Sequence, residues 1–305
     1  KVKCLNSRMI ENGPVRKRIA ISGTINGIIN VEREIHVYEE VPRIDFYAWI
    51  HAPEGDGAFR IQFPFKFEGK IIVGVPFGAE ERELGQEPLV GIERGYRGYE
   101  HVFYAAPWLD YANVNGSYGI AVLPQAEDQI ARGFTFDPKT KILEYNLLTT
   151  FTLPKTGWRS ELSPEIEGHE PASFAYSLYS HAGDWKEGEV YRRSLETQNP
   201  LRAIVLTGEN KSADLPEKQS FVKITPSSLV LSSLSMENKE IILRFYEQCG
   251  SSCKAELNLP FSVTNIVKTD FNSKEVDTRK EALQVAENKV TLNVKPWEIV
   301  TLEAH

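Results

Sequence analysis

The sequence predicts an all-β protein in two parts: a large β domain over residues 1–206 and a small antiparallel β-sandwich over 220–305, with a linker at about 207–219. Three observations carry this. Apolar and polar residues alternate along most of the chain, with Ile, Val and aromatic side chains prominent. Helical spacing is confined to one short stretch. A polar segment containing Gly and Pro, TGENKSADLPEKQ, separates the longer strands from a run of short, regularly spaced ones.

Taken in order, RIAISGTINGIINVEREIHVYEEVPRIDFYAWIH from Arg18 to His51 alternates and is punctuated by Asn26-Gly27 and Pro42. Asn-Gly between alternating runs is a strong hairpin signal, because both turn residues tolerate positive φ. The same texture continues through FRIQFPFKFEGKIIVGVPFGAE, YGIAVLPQ, KILEYNLLTTFTL and FAYSLYSH. In GDWKEGEVYRRSLETQNP, Trp185, Val190, Tyr191 and Leu195 fall at helical spacing ahead of Asn199-Pro200, which predicts a helix near 186–197. Beyond the linker come seven short strand candidates: SFVKI, SLVLSSL, EIILRFYEQ, KAELNL, SVTNIVKTD, KVTLNV and EIVTLEA.

Composition narrows the function. A length of 305 residues exceeds one ordinary core and fits a large β domain or two domains. The formal charge of -7 opposes nucleic acid and anionic membranes alike, and Arg159, Arg192 and Arg193 are scattered among acids rather than gathered into a patch. No run of apolar residues is long enough to span a bilayer, and the N-terminal KVKCLNSRMIENGPVRKR lacks the apolar core of a signal peptide. A soluble protein is expected, cytoplasmic rather than secreted. The start at Lys1 suggests a piece of a longer polypeptide. Cys4, Cys249 and Cys253 are too few for a disulfide framework. Cys249 and Cys253 bracket a turn that a disulfide can cross, but structural or free thiols are the expectation, with no metal role because a second ligand pair is missing.

The stretch 157–185, GWRSELSPEIEGHEPASFAYSLYSHAGDW, concentrates His169, His181, Arg159, Trp158, Trp185 and several carboxylates, and invites an active-site reading. No phosphate loop, GxSxG elbow or HExxH helix supports one. Ser160 or Ser163 with His169 and Asp184 lacks an elbow and an oxyanion hole. His169 and His181 stand twelve residues apart, which does not match a metal motif. Glu161, Glu165, Glu167 and Glu170 read as a solvated acidic loop rather than a glycosidase's paired acids, whose pKa values must be driven apart. Trp108, Trp158, Tyr176 and Trp185 offer flat faces suited to sugar rings or, more simply, to a β core.

The order of these pieces carries a resemblance. VRKRIAISG, REIHVYEEVPRIDFYAWIHA, FRIQFPFKF with VPFGAEERE, AAPWLDYAN, YGIAVLPQ, ILEYNLLTTF and EGHEPASFAYSLYSHAGDW follow one another, and ILRFYEQCG precedes VKPWEIVTLEAH. From Gly13 to His305 the chain resembles the C-terminal β region of glycoside hydrolase family 38 α-mannosidases.

That resemblance implies a galactose-mutarotase-like supersandwich followed by a small sandwich. It implies a zinc-dependent retaining α-mannosidase whose zinc ligands, nucleophile and acid lie on a separate N-terminal catalytic domain, so that this chain alone is inactive. The implied partners are that catalytic domain and an α-mannoside, with homo-oligomerisation a further expectation. Matching positions, expected to border the sugar site or face the catalytic domain, are Trp108, Asp110, His169, Tyr176 and His181, joined by Trp158 and Arg159 of the adjacent loop. Thr149 stands where many relatives carry a sugar-site arginine, a role for which Arg159 is the candidate replacement. The competing readings are an autonomous carbohydrate-binding module and a mutarotase-like epimerase.

Overall fold

The structure, a computed structural model, describes residues 2–27, 29–51, 57–82, 102–104, 107–125, 133–150, 172–205, 217–237, 240–259, 265–272, 274, 276 and 283–304. They form twenty-one strands and one helix, an all-β fold. The chain divides into two compact units, Lys1–Val75 with Glu80–Leu201, and Pro76–Ala79 with Arg202–His305.

The first unit contains β1 (Val2–Asn12), β2 (Arg16–Ile25), β3 (Ile29–Tyr38), β4 (Arg43–Ile50), β5 (Gly57–Pro64), β6 (Gly69–Val75), most of β7 (Gly78–Arg82), β8 (Val102–Tyr104), β9 (Leu109–Asn113), β10 (Tyr118–Pro124), β11 (Gly133–Asp137), β12 (Ile142–Thr150) and β13 (Ala172–Ala182). Nine of them make one sheet in the order β1-β2-β3-β4-β13-β10-β9-β6-β7, and four make a second in the order β5-β12-β11-β8. Asn26 and Gly27 both take positive φ, 53° and 74°, at the β2–β3 connection, as the Asn-Gly signal requires. A single apolar core draws on both sheets: Ile71, Leu109, Tyr111, Val122, Phe174 and Tyr176 from the large one, and Phe134, Phe136, Leu143 and Tyr145 from the small one.

The helix α1 spans Val190–Gln198 and starts later than the expected 186. The amides of Lys186 and Glu187 donate to Asp184 Oδ1, turning the chain back on itself, and Glu189 sits in the left-handed region at φ 49°. Those local bonds satisfy backbone groups that a helix would need, so the helix begins only after them.

Among the described residues the second unit is an eight-stranded sandwich. Its sheets run β14 (Lys223–Thr225), β17 (Cys253–Asn258), β20 (Lys289–Val294), β19 (Gln284–Ala286), and β15 (Leu229–Glu237), β16 (Glu240–Glu247), β21 (Ile299–Ala304), β18 (Ile266–Thr269). Alternate residues Leu243 and Phe245, Ala255 and Leu257, Val290 and Leu292, and Val300 and Leu302 fill its core. The seven strands read from the sequence are present. The eighth, β19, has three exposed residues and therefore no alternation to betray it. The expected linker, 207–219, lies mostly outside the described residues.

Candidate functional site

Four of the seven sequence-identified residues, Trp108, Asp110, Tyr176 and His181, lie in described parts of the first unit; Trp158, Arg159 and His169 lie outside the described residues. Strand β13 sorts its side chains by period two. Phe174 and Tyr176 point into the core between the sheets, while Ala175, Ser177, Tyr179 and His181 occupy the opposite face. Tyr176 stacks on Phe46 with ring centroids 5.0 Å apart and meets Phe63 and Tyr145 edge-on. Burial raises its phenol pKa well above the usual range, against the opposing pull of Arg33. It is a core residue of the first unit.

On the opposite face, β9 and β13 flank β10, with Ala121 opposite Asp110 on one side and Gly119 opposite His181 on the other. His181 Nε2 donates to Asp110 Oδ1 at 3.0 Å across the intervening strand. Gly119 makes the passage possible. A Cβ there would stand 2.6 Å from His181 Nε2 and 2.8 Å from Asp110 Oδ1. Gly188 clears the other end of the ring, since a Cβ on it would meet His181 Cγ at 2.5 Å.

Residues 183–198 close over this pair. Tyr179 donates to the carbonyl of Gly188 at 2.9 Å, and Trp185 packs on Trp108 with centroids 5.3 Å apart. Ser194 and Gln198 of α1 both donate to the carbonyl of Pro107. The side chains of His181 and Asp110 are left 1% and 0% exposed. Burial works against charge on His181, but the hydrogen bond and charge of Asp110 outweigh it and the imidazole pKa is raised. Nδ1 faces the carbonyl of Ala182 at 3.3 Å, so both ring nitrogens look at acceptors, the arrangement that suits an imidazolium. An Asp–His pair can serve as an orienter and base in catalysis, but sealed from solvent this one is a structural tie.

A second buried polar cluster on the same face escaped the sequence reading. Ser177 donates to Asp45 Oδ1 at 2.6 Å and accepts from Gln125 at 3.0 Å. Tyr38 and Arg43 donate to the same carboxylate. The sequence carries no signal for it, because alternation sets Ser177 and Asp45 on the side opposite Phe174, Tyr176 and Phe46, where polar residues ordinarily meet solvent.

Among the described residues no group of three His, Cys, Asp or Glu side chains converges to hold a metal. The zinc that the family resemblance implies belongs to a separate catalytic domain, and Asp110 and His181 are not expected to hold it. None of the three cysteines is in a disulfide; Cys4 is exposed and Cys249 buried. Thr149 occupies a ladder position opposite Ala58. In the second unit an open groove of about 610 Å³ is lined by Thr225, Cys253, Lys254, Glu256, Lys289 and Thr291 among others; it has no aromatic wall for a sugar ring. No described helix is long and apolar enough to cross a membrane.

Residues 228–302 match the family model described as the glycosyl hydrolases family 38 C-terminal beta sandwich domain. The whole chain superposes on an alpha-mannosidase from Enterococcus faecalis V583 with a TM-score of 0.76, at 13% identity and covering 35% of that protein. It also superposes on a protein in the glycosyl hydrolase family 38 from Enterococcus faecalis with a TM-score of 0.74, at 12% identity and covering 36%. The chain thus spans about a third of the length of these structures. No curated protein matches it in sequence. The family 38 resemblance drawn from the order of motifs is therefore met by the family model over residues 228–302, and the likeness over the entire chain is one of fold.

Proposed function

We propose that this chain is the non-catalytic β portion of a zinc-dependent retaining α-mannosidase, which braces the catalytic part and borders its sugar site. The observation that carries this is the match of all 305 residues to about a third of an alpha-mannosidase structure. The buried Asp110–His181 tie and the Asp45–Ser177–Gln125 cluster support a bracing role, because sealed polar networks lend rigidity and cannot reach a substrate. Trp158, Arg159 and His169 are the candidates for the sugar-site rim, contributing orientation and water exclusion.

The test compares this chain with the full-length product of its gene on an aryl α-mannoside, with zinc supplied to both. The full-length protein is expected to turn over the substrate and this chain to match the blank. Turnover by the chain alone overturns the proposal. Saturable mannose binding by the chain alone, lost in Trp158→Ala, favours a carbohydrate-binding module in its place.

A further inference from the structure

The outer face of the nine-stranded sheet, the side turned away from the core, divides into two chemically different parts. Across β1–β4 and β13 one row runs Glu11, Arg18, His36, Asp45 and Ser177. Each of these is engaged by a neighbour: Arg18 donates to Glu11 and, at 2.6 Å, to Glu34, His36 Nε2 lies 2.8 Å from Glu34, and Ser177 donates to Asp45. This part of the face is saturated by its own polar groups.

Four residues back along β3 the pattern reverses. Ser22, Glu32, Trp49 and Ser173 pair in turn across β2, β3, β4 and β13. Their chain neighbours Val31, Ala48, Ile50 and Phe174 lie in the core, so the row points outward. Asn30 follows on β3, and its carbonyl accepts from the amide of His51. Glu32, Asn30, His51 and Ser173 are exposed, and Ser22 and Trp49 half-buried. Among the described residues none of these six side chains makes a hydrogen bond or ion pair, and none of their polar atoms is shut away from water. Trp49 ends a file of rings. Tyr47 stands between it and His36, with centroids 6.4 Å and 4.5 Å away, and the Tyr47 and Trp49 planes lie within 18° of parallel.

This chemistry selects a ligand. The row crosses three strand gaps, about 14 Å, which is room for a short oligosaccharide. An indole offers an apolar plane to the C–H face of a sugar ring and an N–H to a hydroxyl, while carboxylate, amide and serine groups around it exchange hydrogen bonds with the remaining hydroxyls. No Lys or Arg stands among the six and Glu32 is their only carboxylate, so a phosphate, a sulfate or nucleic acid finds no counter-charge. A protein partner needs a contiguous apolar centre, and here one aromatic is ringed by small polar side chains.

We propose that the outer face around Trp49 is a binding site for a neutral oligosaccharide, with Glu32 as the acceptor for its hydroxyls. The site goes beyond the proposed function: it does not involve Trp158, Arg159 or His169 and needs no catalytic part. Native affinity electrophoresis tests it, with this chain and the full-length gene product run through gels cast with soluble mannan, soluble glucan or, as the charged control, dextran sulfate. Retardation by mannan or glucan is expected for both proteins, with an effect at least tenfold weaker in Trp49→Ala and partly kept in Trp49→Phe. Glu32→Gln, at an exposed and unpaired position that leaves the fold intact, should weaken it several-fold and decides the matter should Trp49→Ala fail to fold. Free migration in both neutral gels overturns the proposal, as does retardation by dextran sulfate alone, retardation indifferent to Trp49→Ala and Glu32→Gln, or retardation that the full-length protein lacks. Retardation of a full-length protein without mannosidase activity removes the proposed function and leaves this site standing; activity without retardation does the reverse.

Discussion

Asp110 and His181 lie on strands that are not neighbours, and their 3.0 Å hydrogen bond is made over Gly119 of the strand between them. The bond joins residues 71 positions apart and lies under the segment that ends in α1. It holds three strands of the large sheet in mutual register through side chains as well as through the ladder.

Gly119→Ala should break this tie. Its methyl would sit 2.6 Å from His181 Nε2, and overpacking of this kind, with the loss of a buried hydrogen bond, costs about 1–3 kcal/mol. Urea unfolding followed by tryptophan fluorescence measures it; stability equal to the unsubstituted protein would show that the ring moves aside freely.

The pair also makes stability depend on pH in a definite direction. The folded pKa of His181 is raised above the ordinary value, so its contribution is complete below the unfolded pKa of about 6.5 and is lost as pH rises through the folded value. His181→Gln should therefore destabilise more near pH 6 than near pH 9. In Asp110→Asn the raising partner is gone and burial acts alone, so the His181 titration seen by NMR should move down. An unchanged midpoint would contradict the assignment.

Glu247, fully buried in the second unit, accepts from the amides of Cys249, Ser251 and Trp297. It thereby ties the turn after β16 to the turn before β21. Glu247→Ala leaves three amides without their acceptor and should cost about 3 kcal/mol or more, with Glu247→Gln intermediate. Denaturant unfolding of both variants provides the check, and a loss confined to a few tenths would mean that water replaces the carboxylate.

Ser177→Ala removes the bridge between Asp45 and Gln125. A loss of about 1–3 kcal/mol is expected. Because Gln125 shares the same hydroxyl, Ser177→Ala and Gln125→Ala should be less than additive in the double variant. Strict additivity would mean that the two side chains do not communicate.

Period-two alternation made most strands readable, since facing is a local property of an extended chain: Phe174, Tyr176 and the sandwich pairs such as Leu243 and Phe245 sit on the sides their spacing foretold. Strand β1 was not readable, because it is exposed on both faces and its register shifts break the alternation. The helix was readable, but its first turn was not, because Asp184 captures amides that a helical pattern assigns elsewhere. Of the site residues, Asp110 and His181 were marked individually while their contact was invisible, and Asp45 and Ser177 carried no signal, because alternation assigns their face to solvent.

By itself the sequence determined the all-β class, a helix ending before Asn199-Pro200 and the resemblance to family 38, all of which rest on local alternation, turn residues and the order of motifs. Tertiary structure alone decided that β10 would lie between β9 and β13, which turns two scattered residues and a glycine into one buried tie. It alone decided that four strands would face nine, leaving Met9, Val37 and Ile44 uncovered among the described residues. Both outcomes depend on which distant strands pair, and that choice is made by the summed burial of whole sheets, which no short stretch of sequence encodes.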